Sequence, residues 1–233
     1  MKTWPTSPRQ LIRQQEKLRD QSPDIWRSTA EPIVIGACFM CCGPGSTKAG
    51  TNADVGWAGA VLFRGQKVLV ETSVKGLAGA PYRPGLLALR EGPLLEEAVN
   101  ALSRLPDVLL VNATGRDHPR WAGLALHLGA LLDVPTIGVT NRVLLARGNQ
   151  PGAEYGSNAP FMIEKEMVGV WLRTRAGAHP VAVHVAWRTD LNYALQLVLD
   201  ASNRYRTPEP LRRARCMART ARSHDLGRTL SPR

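Results

Sequence analysis

The hydrophobic and polar positions of this chain follow two periods, and together they predict one mixed α/β sheet covered by helices. Residues 8–21 repeat at helical spacing, with Leu11, Gln15 and Leu18 on one side. The predicted strands are residues 33–40, 57–63, 67–74, 108–111, 136–139, 167–174 and 181–185; the other predicted helices are residues 93–105, 122–132 and 191–201. The order is three mainly antiparallel strands, then helix, strand, helix and strand, which favours a single mixed sheet.

Three segments show neither period and are predicted loops. Residues 43–56 are glycine-rich, and residues 78–91 contain several prolines and glycines, so Pro93 is expected in the first turn of the following helix. Residues 146–160 form a loop long enough to suggest a function. Residues 1–222 are expected to form one domain. Residues 223–233 are expected to be a disordered basic tail, because the chain carries seven arginines and one acid from Leu211 onward.

Composition narrows the class of protein. Hydrophobic residues make up 44% and charged residues 21% of the 233 residues, which is typical of a soluble globular protein. The N-terminus is polar, and no apolar run reaches the roughly 20 residues of a membrane span. Three of the four cysteines are crowded at Cys38, Cys41 and Cys42, unlike a secreted disulfide framework. We therefore expect a cytoplasmic protein with reduced thiols.

The charge balance predicts a polyanionic partner. The net charge is +11, from 30 Lys and Arg against 19 Asp and Glu, and the pI is near 10.2. Most of the positive charge is arginine, whose planar, forked donors suit phosphate groups. DNA or RNA, or both, is the expected partner, with no membrane and no protein partner indicated.

A series of motifs between residues 82 and 139 carries a family resemblance. They are Tyr82-Arg83-Pro84-Gly85, Arg90-Glu91-Gly92-Pro93, Pro106-Asp107-Val108-Leu109-Leu110-Val111-Asn112, Gly115-Arg116-Asp117-His118-Pro119-Arg120 and Gly138-Val139. The series resembles endonuclease V, the metal-dependent nuclease family that cuts nucleic acid near inosine, and Arg206-Thr207-Pro208-Glu209-Pro210-Leu211-Arg212 extends the resemblance weakly. The resemblance implies a ribonuclease H-like sheet and hydrolysis with Mg²⁺ or Mn²⁺ in DNA repair or RNA processing.

The resemblance also identifies the metal positions, and two of them have lost their carboxylates. Glu91 matches the family's glutamate, but Cys38 and Asn112 stand where the family has aspartates. An amide offers an oxygen ligand without the charge that a hard dication needs. Asn141 replaces the family's lysine, and Trp187 stands in place of its histidine. Hydrolysis is therefore expected to be weak or lost.

The recognition residues of the family are present. By resemblance, Tyr82 is the aromatic wedge that fills the gap left by an extruded base, and Pro84 and Gly85 belong to the base pocket. His118 and His127 match family histidines near metal and phosphates, and Gly115 and Arg120 lie in the same motif. We expect Asp107 to anchor its strand.

Two alternatives stay open. An active nuclease with a rearranged site would use Glu91 and His118 together with Asp117 or Asp54. A protein of a different class would use Cys38, Cys41 and Cys42 for a thiol-bound metal or for redox chemistry, with zinc favoured over magnesium.

Overall fold

The computed structural model describes residues 3–28, 31–43 and 50–227. The described chain folds into one eight-stranded sheet with five helices. The helices are α1 (Pro8–Arg19), α2 (Leu87–Asn100), α3 (Leu124–Leu132), α4 (Leu191–Ser202) and α5 (Glu209–Asp225). The strands are β1 (Val34–Cys42), β2 (Val55–Arg64), β3 (Lys67–Leu77), β4 (Val108–Val111), β5 (Thr136–Thr140), β6 (Asn158–Ile163), β7 (Glu166–Leu172) and β8 (Val181–Val185).

The strand order is β3-β2-β1-β4-β5-β8-β7-β6, which confirms the predicted ribonuclease H-like mixed sheet. The first three strands form an antiparallel meander, while β4 and β5 run parallel to β1. β8 returns antiparallel to β5, and β7 runs antiparallel to β8. The carboxyl ends of β1, β4, β5 and β7 therefore lie at one edge of the sheet, which we call the carboxyl edge.

Two apolar layers hold helices against the two faces of the sheet. Alternate residues of β1 point to opposite faces, so Cys38 packs with α2 and α3 while Ala37 packs with α4 and α5. β4 is buried on both faces, as expected for a central parallel strand. Asp107 ties β4 to β1 because its carboxylate accepts from the Val34 amide at 2.7 Å, which confirms its predicted anchoring role.

The prediction that Pro93 opens a helix was wrong. Helix α2 begins at Leu87, and Pro93 lies inside it. The chain turns earlier, where the Leu86 amide donates to Arg83 and the Leu89 amide donates to Leu86. Proline removes one amide donor from the helix, and the burial of this helix supplies the compensating stability.

Two further elements were missed. β6 begins inside the predicted loop. It was missed because few of its positions are buried, and Phe161 is its one fully buried residue. Helix α5 was missed because its arginines resemble a solvated tail, although Leu211, Ala214 and Ala218 are buried at helical spacing. The helix extends through Asp225, so residues 223–225 do not belong to a disordered tail. Residues 228–233 lie outside the described residues.

None of the helices in the described chain is both long and apolar enough to cross a membrane.

Candidate nucleic-acid pocket and metal positions

A cavity of about 150 Å³ lies at the carboxyl edge, where the loop before α2 meets the ends of β4 and β5. Its lining includes Tyr82, Gly85, Asn112, His118, Thr140 and Leu144. Tyr82 is 43% exposed, so its ring stands at the rim rather than in the core. The structure thus brings the predicted wedge, the pocket glycine and one metal position around a single cavity.

Gly85 is held by two side chains that bind its carbonyl. His118 Nε2 lies 3.1 Å from the Gly85 oxygen, and Arg120 Nη2 donates to the same oxygen. The Arg120 amide donates to His118 Nδ1 at 3.2 Å, so Nδ1 accepts and Nε2 is the protonated nitrogen. Gly85 has a φ of +73°, which glycine adopts without strain. We call this arrangement the Gly85 clamp.

The clamp fixes His118 as a neutral, structural group. Burial, together with the nearby Arg120 cation, lowers the pKa of His118 to about 4. Its two ring nitrogens are both engaged in the bonds that shape the loop. His118 therefore lines the pocket, and in this arrangement it carries no spare nitrogen for the proton transfer that a catalytic role would need.

Gln15 of α1 is a pocket residue that no motif identified. Its oxygen accepts from Arg120 Nε at 2.7 Å, and its amide nitrogen donates to the Ala122 carbonyl at 2.9 Å. The available signal was its position, because an amide on the apolar side of an amphipathic helix needs buried partners. The N-terminal helix thus supports the clamp from behind.

The three metal positions come from neighbouring elements: Cys38 lies in the middle of β1, Asn112 directly follows β4, and Glu91 lies on α2 close enough to Cys38 to affect its pKa. Cys38 pairs with Val111, the residue before Asn112, in the parallel β1–β4 ladder. Burial raises the pKa of the Cys38 thiol, and the nearby Glu91 carboxylate raises it further. Burial raises the pKa of Glu91 to about 7, with Arg90 acting in the opposite direction. The set thus holds one weakly acidic carboxyl, one amide and one neutral thiol.

Arg90 sits beside these positions in a buried network. Its guanidinium donates to the Asp54 carboxylate at 2.6 Å, to Cys42 Sγ at 3.1 Å and to the carbonyl oxygens of Ala80 and Thr51. The Arg90 side chain is only 6% exposed and the Asp54 side chain 13%. Asp54 is therefore committed to Arg90, and a permanent cation stands next to Glu91.

These residues do not fit a hard divalent metal. A Mg²⁺ or Mn²⁺ site draws on carboxylates whose charge offsets that of the ion. Here burial disfavours the charged form of Glu91, the neighbouring Arg90 cation offsets its negative charge toward a metal, and Cys38 and Asn112 add no charge. Throughout residues 3–28, 31–43 and 50–227, no three His, Cys, Asp or Glu side chains are grouped to hold a metal.

Asp117 is not placed for catalysis. Its carboxylate is fully buried and accepts from the backbone amides of Leu144, Leu145 and Ala146 at 2.6–2.9 Å. It holds the loop after β5, because both of its carboxylate oxygens accept hydrogen bonds from that loop. Sequence reasoning could place Asp117 near His118 but could not see these amide donors.

His127 was predicted as an equally balanced candidate, and the structure places it in the core. It is fully buried on α3 and stacks on Trp4, with ring centroids 4.8 Å apart. Gly115 also serves packing, because a β-carbon there would lie 2.0 Å from the Val185 carbonyl oxygen. Pro84 is exposed beside Tyr82 on the pocket loop.

The other substituted positions have local roles. Asn141 is exposed after β5, and Trp187 is partly buried against the layer of α2 and α3. Asp190, the acid that follows Trp187, caps α4 by accepting from the Tyr193 amide.

The Cys41 and Cys42 thiols are partly buried, and burial raises the pKa of each. The Arg222 cation opposes the shift at Cys41, and the Arg90 cation opposes it at Cys42.

A larger cavity of about 430 Å³ lies at the opposite edge of the sheet, near Pro32, Gly65 and Tyr193. None of the residues that carry the family resemblance lines it. The smaller cavity beside Tyr82 is therefore the candidate site.

The fold and the site define a protein with a ribonuclease H-like sheet and a pocket lined by Tyr82, Gly85 and Asn112 at its carboxyl edge. The family model for endonuclease V matches residues 45–216. Endonuclease V of Gloeobacter violaceus is 36% identical over 216 residues, covering 92% of this chain and 86% of the relative. Endonuclease V of Nostoc punctiforme is 36% identical over 211 residues, covering 90% and 93%. The chain belongs to the endonuclease V family.

Solved structures agree with this assignment. The crystal structure of Streptomyces avermitilis endonuclease V is 33% identical with a TM-score of 0.82, covering 96% of both chains. The catalytic domain of human endonuclease V is 28% identical with a TM-score of 0.82, covering 93% of this chain and 96% of that one. A Ciona intestinalis endonuclease V bound to a 24mer DNA containing an inosine followed by a ribo-adenosine is 19% identical, with a TM-score of 0.77, covering 92% and 97%; this likeness concerns the fold.

Proposed function

We propose that this protein binds inosine- or deoxyinosine-containing nucleic acid and has weak or no metal-dependent phosphodiester hydrolysis. One observation carries the proposal. A pocket is lined by Tyr82, Gly85, His118 and Asn112, while two of the three metal positions that the resemblance identifies hold Cys38 and Asn112.

Binding is supported by the form and charge of the carboxyl edge. Tyr82 stands at the rim, where an aromatic ring can replace an extruded base in the stack. The net charge of +11 favours association with phosphates. The Ciona intestinalis relative binds inosine-containing DNA, and the same class of ligand is proposed here, as DNA or RNA.

Weak hydrolysis is supported by the electrostatics of the metal positions. The family reaction uses a metal, with Mg²⁺ or Mn²⁺ proposed as the ion, to activate water and to stabilise the leaving oxygen. At neutral pH the Cys38 thiol is uncharged and the Glu91 carboxyl is partly protonated, since its pKa is about 7. Asp54, the nearby acid, is paired with Arg90, so this ion pair adds no net negative charge that would hold a dication.

The alternatives receive less support. A rearranged site would need Asp117 or Asp54, but Asp117 accepts from three backbone amides and Asp54 pairs with Arg90. A thiol-metal site would need further ligands near Cys38, and the described residues provide no such cluster. Both alternatives are tested by the experiment below.

The test measures binding and cleavage separately with the full chain. Labelled single-stranded DNA and RNA with one inosine, and matched strands with guanosine, are titrated with protein in a chelator, and binding is read by fluorescence anisotropy. The same strands are then incubated with Mg²⁺ or Mn²⁺ and resolved on denaturing gels. We expect tighter binding of the inosine strands and no cleavage above background.

Equal binding of inosine and guanosine strands would overturn the recognition part of the proposal. Strong cleavage that disappears in Glu91→Ala would overturn the inactive part, and cleavage that disappears in Asp117→Asn at unchanged stability would favour the rearranged site. Zinc found in the purified protein by elemental analysis would favour the thiol-metal alternative.

A further inference from the structure

A second cleft at the carboxyl edge combines an exposed aromatic ring with arginines. It measures about 560 Å³ and is lined by Tyr155, Arg175, Ala176 and Arg204. Tyr155 is 50% exposed, and both arginines are exposed. Neither arginine forms an ion pair within the part of the chain that the structure describes, and neither belongs to the motifs that carry the family resemblance. An aromatic ring between cations is a combination suited to a nucleobase and its phosphates.

The loop carrying Tyr155 is held rigidly in place. The Arg173 guanidinium donates to the carbonyls of Gly152 at 2.8 Å and Pro151 at 2.9 Å, and the Gly156 amide donates back to the Arg173 carbonyl at 2.8 Å. The Gly177 amide joins the same two loops through Ala153. Tyr155 is therefore presented to solvent by an ordered frame, which lowers the entropy cost when a ligand stacks on it.

The loop that carries Arg204, on another side of the cleft, is also constrained. Arg204 has a φ of +63° and follows Asn203 at +44°, so two successive residues occupy the left-handed region that favours glycine. Arg206 then donates to the carbonyls of His179 and Pro180, which fixes this loop against the start of β8. A strained backbone maintained at the rim of a basic cleft suggests a functional position for the Arg204 side chain.

Arginines of α5 continue the positive surface from this cleft toward β1. Arg215 packs over the Phe39 ring at 5.1 Å, and its buried Nε has no hydrogen-bond partner among the described residues. Burial lowers the pKa of Arg215, and the nearby Arg219 and Arg206 cations lower it further. At the end of the helix, Arg222 donates to the Cys42 carbonyl. An anion here would relieve the repulsion and supply the missing acceptor.

Other arginines of α5 differ from Arg215 because their guanidinium groups pair with carboxylates. Arg213 pairs with Glu71, and Arg212 pairs with Glu209 and lies over the Tyr205 ring at 3.9 Å. Within the described chain Arg219 has no such ion pair. Arg215, which lies near Arg206, and Arg219 are thus arginines of α5 without a carboxylate partner in the described chain.

We propose that Tyr155, Arg175, Arg204, Arg206, Arg215 and Arg219 form a track that binds a single-stranded stretch of the nucleic acid continuing from the base pocket. Tyr155 stacks on one unpaired base, and the arginines bind phosphates. The inference rests on the proposed function for its ligand. Continuity supports it, because the loops after β5 and β7 leave the sheet at the same carboxyl edge as Asn112 and Thr140. A single strand fits better than a duplex, because only an unpaired base offers a free face to the ring.

The test compares short and long strands. Anisotropy is measured with single-stranded inosine oligonucleotides of about 4 and about 16 nucleotides, the span of single-stranded site sizes, with inosine near the 5′ or the 3′ end. Tyr155→Ala is expected to weaken binding of one long strand about tenfold and to leave the short strand unchanged. Tyr155→Phe keeps a stacking ring and is expected to bind as the parent does.

Matched controls separate the track from general effects. Tyr205→Ala removes a tyrosine of similar exposure, 46%, that is already covered by Arg212, and Arg213→Ala removes a paired charge. Both are expected to bind long strands as the parent does. Arg175→Ala and Arg219→Ala are each expected to reduce the dependence of log affinity on log salt by about 0.7 for each phosphate that the variant no longer neutralises.

The outcomes distinguish the track from the pocket. A Tyr155→Ala variant that folds normally and binds long strands unchanged, or that is weakened no more than Tyr205→Ala, overturns the track while any inosine preference still supports the pocket. Long-strand binding that depends on Tyr155 without any preference for inosine over guanosine supports the track and overturns the pocket proposal.

Discussion

The two parts of the candidate site differ in how their residues are held. The Gly85 clamp is built from hydrogen bonds among Gly85, His118, Arg120 and Gln15, with donors and acceptors matched. The metal positions hold a neutral thiol, an amide and a carboxyl whose pKa is raised to about 7. One region is a satisfied hydrogen-bond network, and the other holds a single carboxyl group beside two uncharged side chains.

The comparison teaches that the proposed base recognition and the hydrolysis of the family rest on separate physical conditions. The clamp needs geometry and buried hydrogen bonds, which the fold itself supplies. Hydrolysis needs concentrated negative charge to hold a metal, which only particular side chains supply. Substitutions can therefore remove the second condition without disturbing the first.

The largest expected effect is the gain of hydrolysis when the two carboxylates are restored. In a Cys38→Asp and Asn112→Asp double variant, cleavage of inosine strands in Mn²⁺ should rise about a hundredfold or more over the parent. The reason is that a bound metal supplies several kcal/mol of transition-state stabilisation and each 1.4 kcal/mol is a factor of ten. Denaturing gels measure the product, and adding Glu91→Ala to the double variant should return cleavage to background. A double variant that binds Mn²⁺ tightly and still does not cleave would show that the carboxylates alone were not the missing condition.

The next effect concerns the stability that Asp117 provides. Asp117→Ala leaves three backbone amides without their acceptor, and we expect a loss of about 3 kcal/mol in the free energy of unfolding. Urea denaturation measures it, and Asp20→Ala, which removes an exposed acid paired with Arg19, is the control. Little loss of stability in Asp117→Ala, with a change in cleavage instead, would return Asp117 to the catalytic candidates.

A loss of stability of similar size is expected when the pH falls, because of His127. Burial lowers the pKa of His127 from 6.5 to about 4, so the unfolded chain takes up this proton first as the pH falls. Stability contributed by neutral His127 is present above pH 6.5 and is lost as the pH falls toward 4, by about 3 kcal/mol. Unfolding of His127→Leu, measured from pH 7 to pH 4, should show a shallower decline than the parent. Exposed His224→Gln should follow the parent, and a parallel decline in His127→Leu would contradict the assignment.

The smallest effect is expected from the wedge. Tyr82→Ala should weaken binding of inosine strands about tenfold, in line with the removal of one stacked aromatic ring, and Tyr82→Phe should not. Anisotropy measures the affinity, and thermal unfolding of both variants should match the parent because the ring is 43% exposed. Equal weakening by alanine and phenylalanine would assign the role to the hydroxyl rather than to the ring.

The sequence predicted the sheet well because its strands carry clear apolar runs and its order is that of the family. It also predicted that Tyr82, Gly85 and His118 belong together, since a motif string keeps such residues near one another. It could not show the burial and the partners of Asp117 and His127, because these depend on segments distant in sequence, namely residues 144–146 and Trp4. It missed α5 because the helix is rich in arginine and buries only a few apolar side chains, among them Leu211, Ala214 and Ala218.

The Gly85 clamp has a consequence for how such a protein can persist and be used. No bond of the clamp involves Cys38, Glu91 or Asn112 within the described chain, so a lineage can lose strand scission while selection keeps the ability to read a modified base. A protein of this kind would mark inosine without destroying the strand that carries it. It is thus a natural starting point for a reagent that captures edited transcripts or deaminated DNA intact.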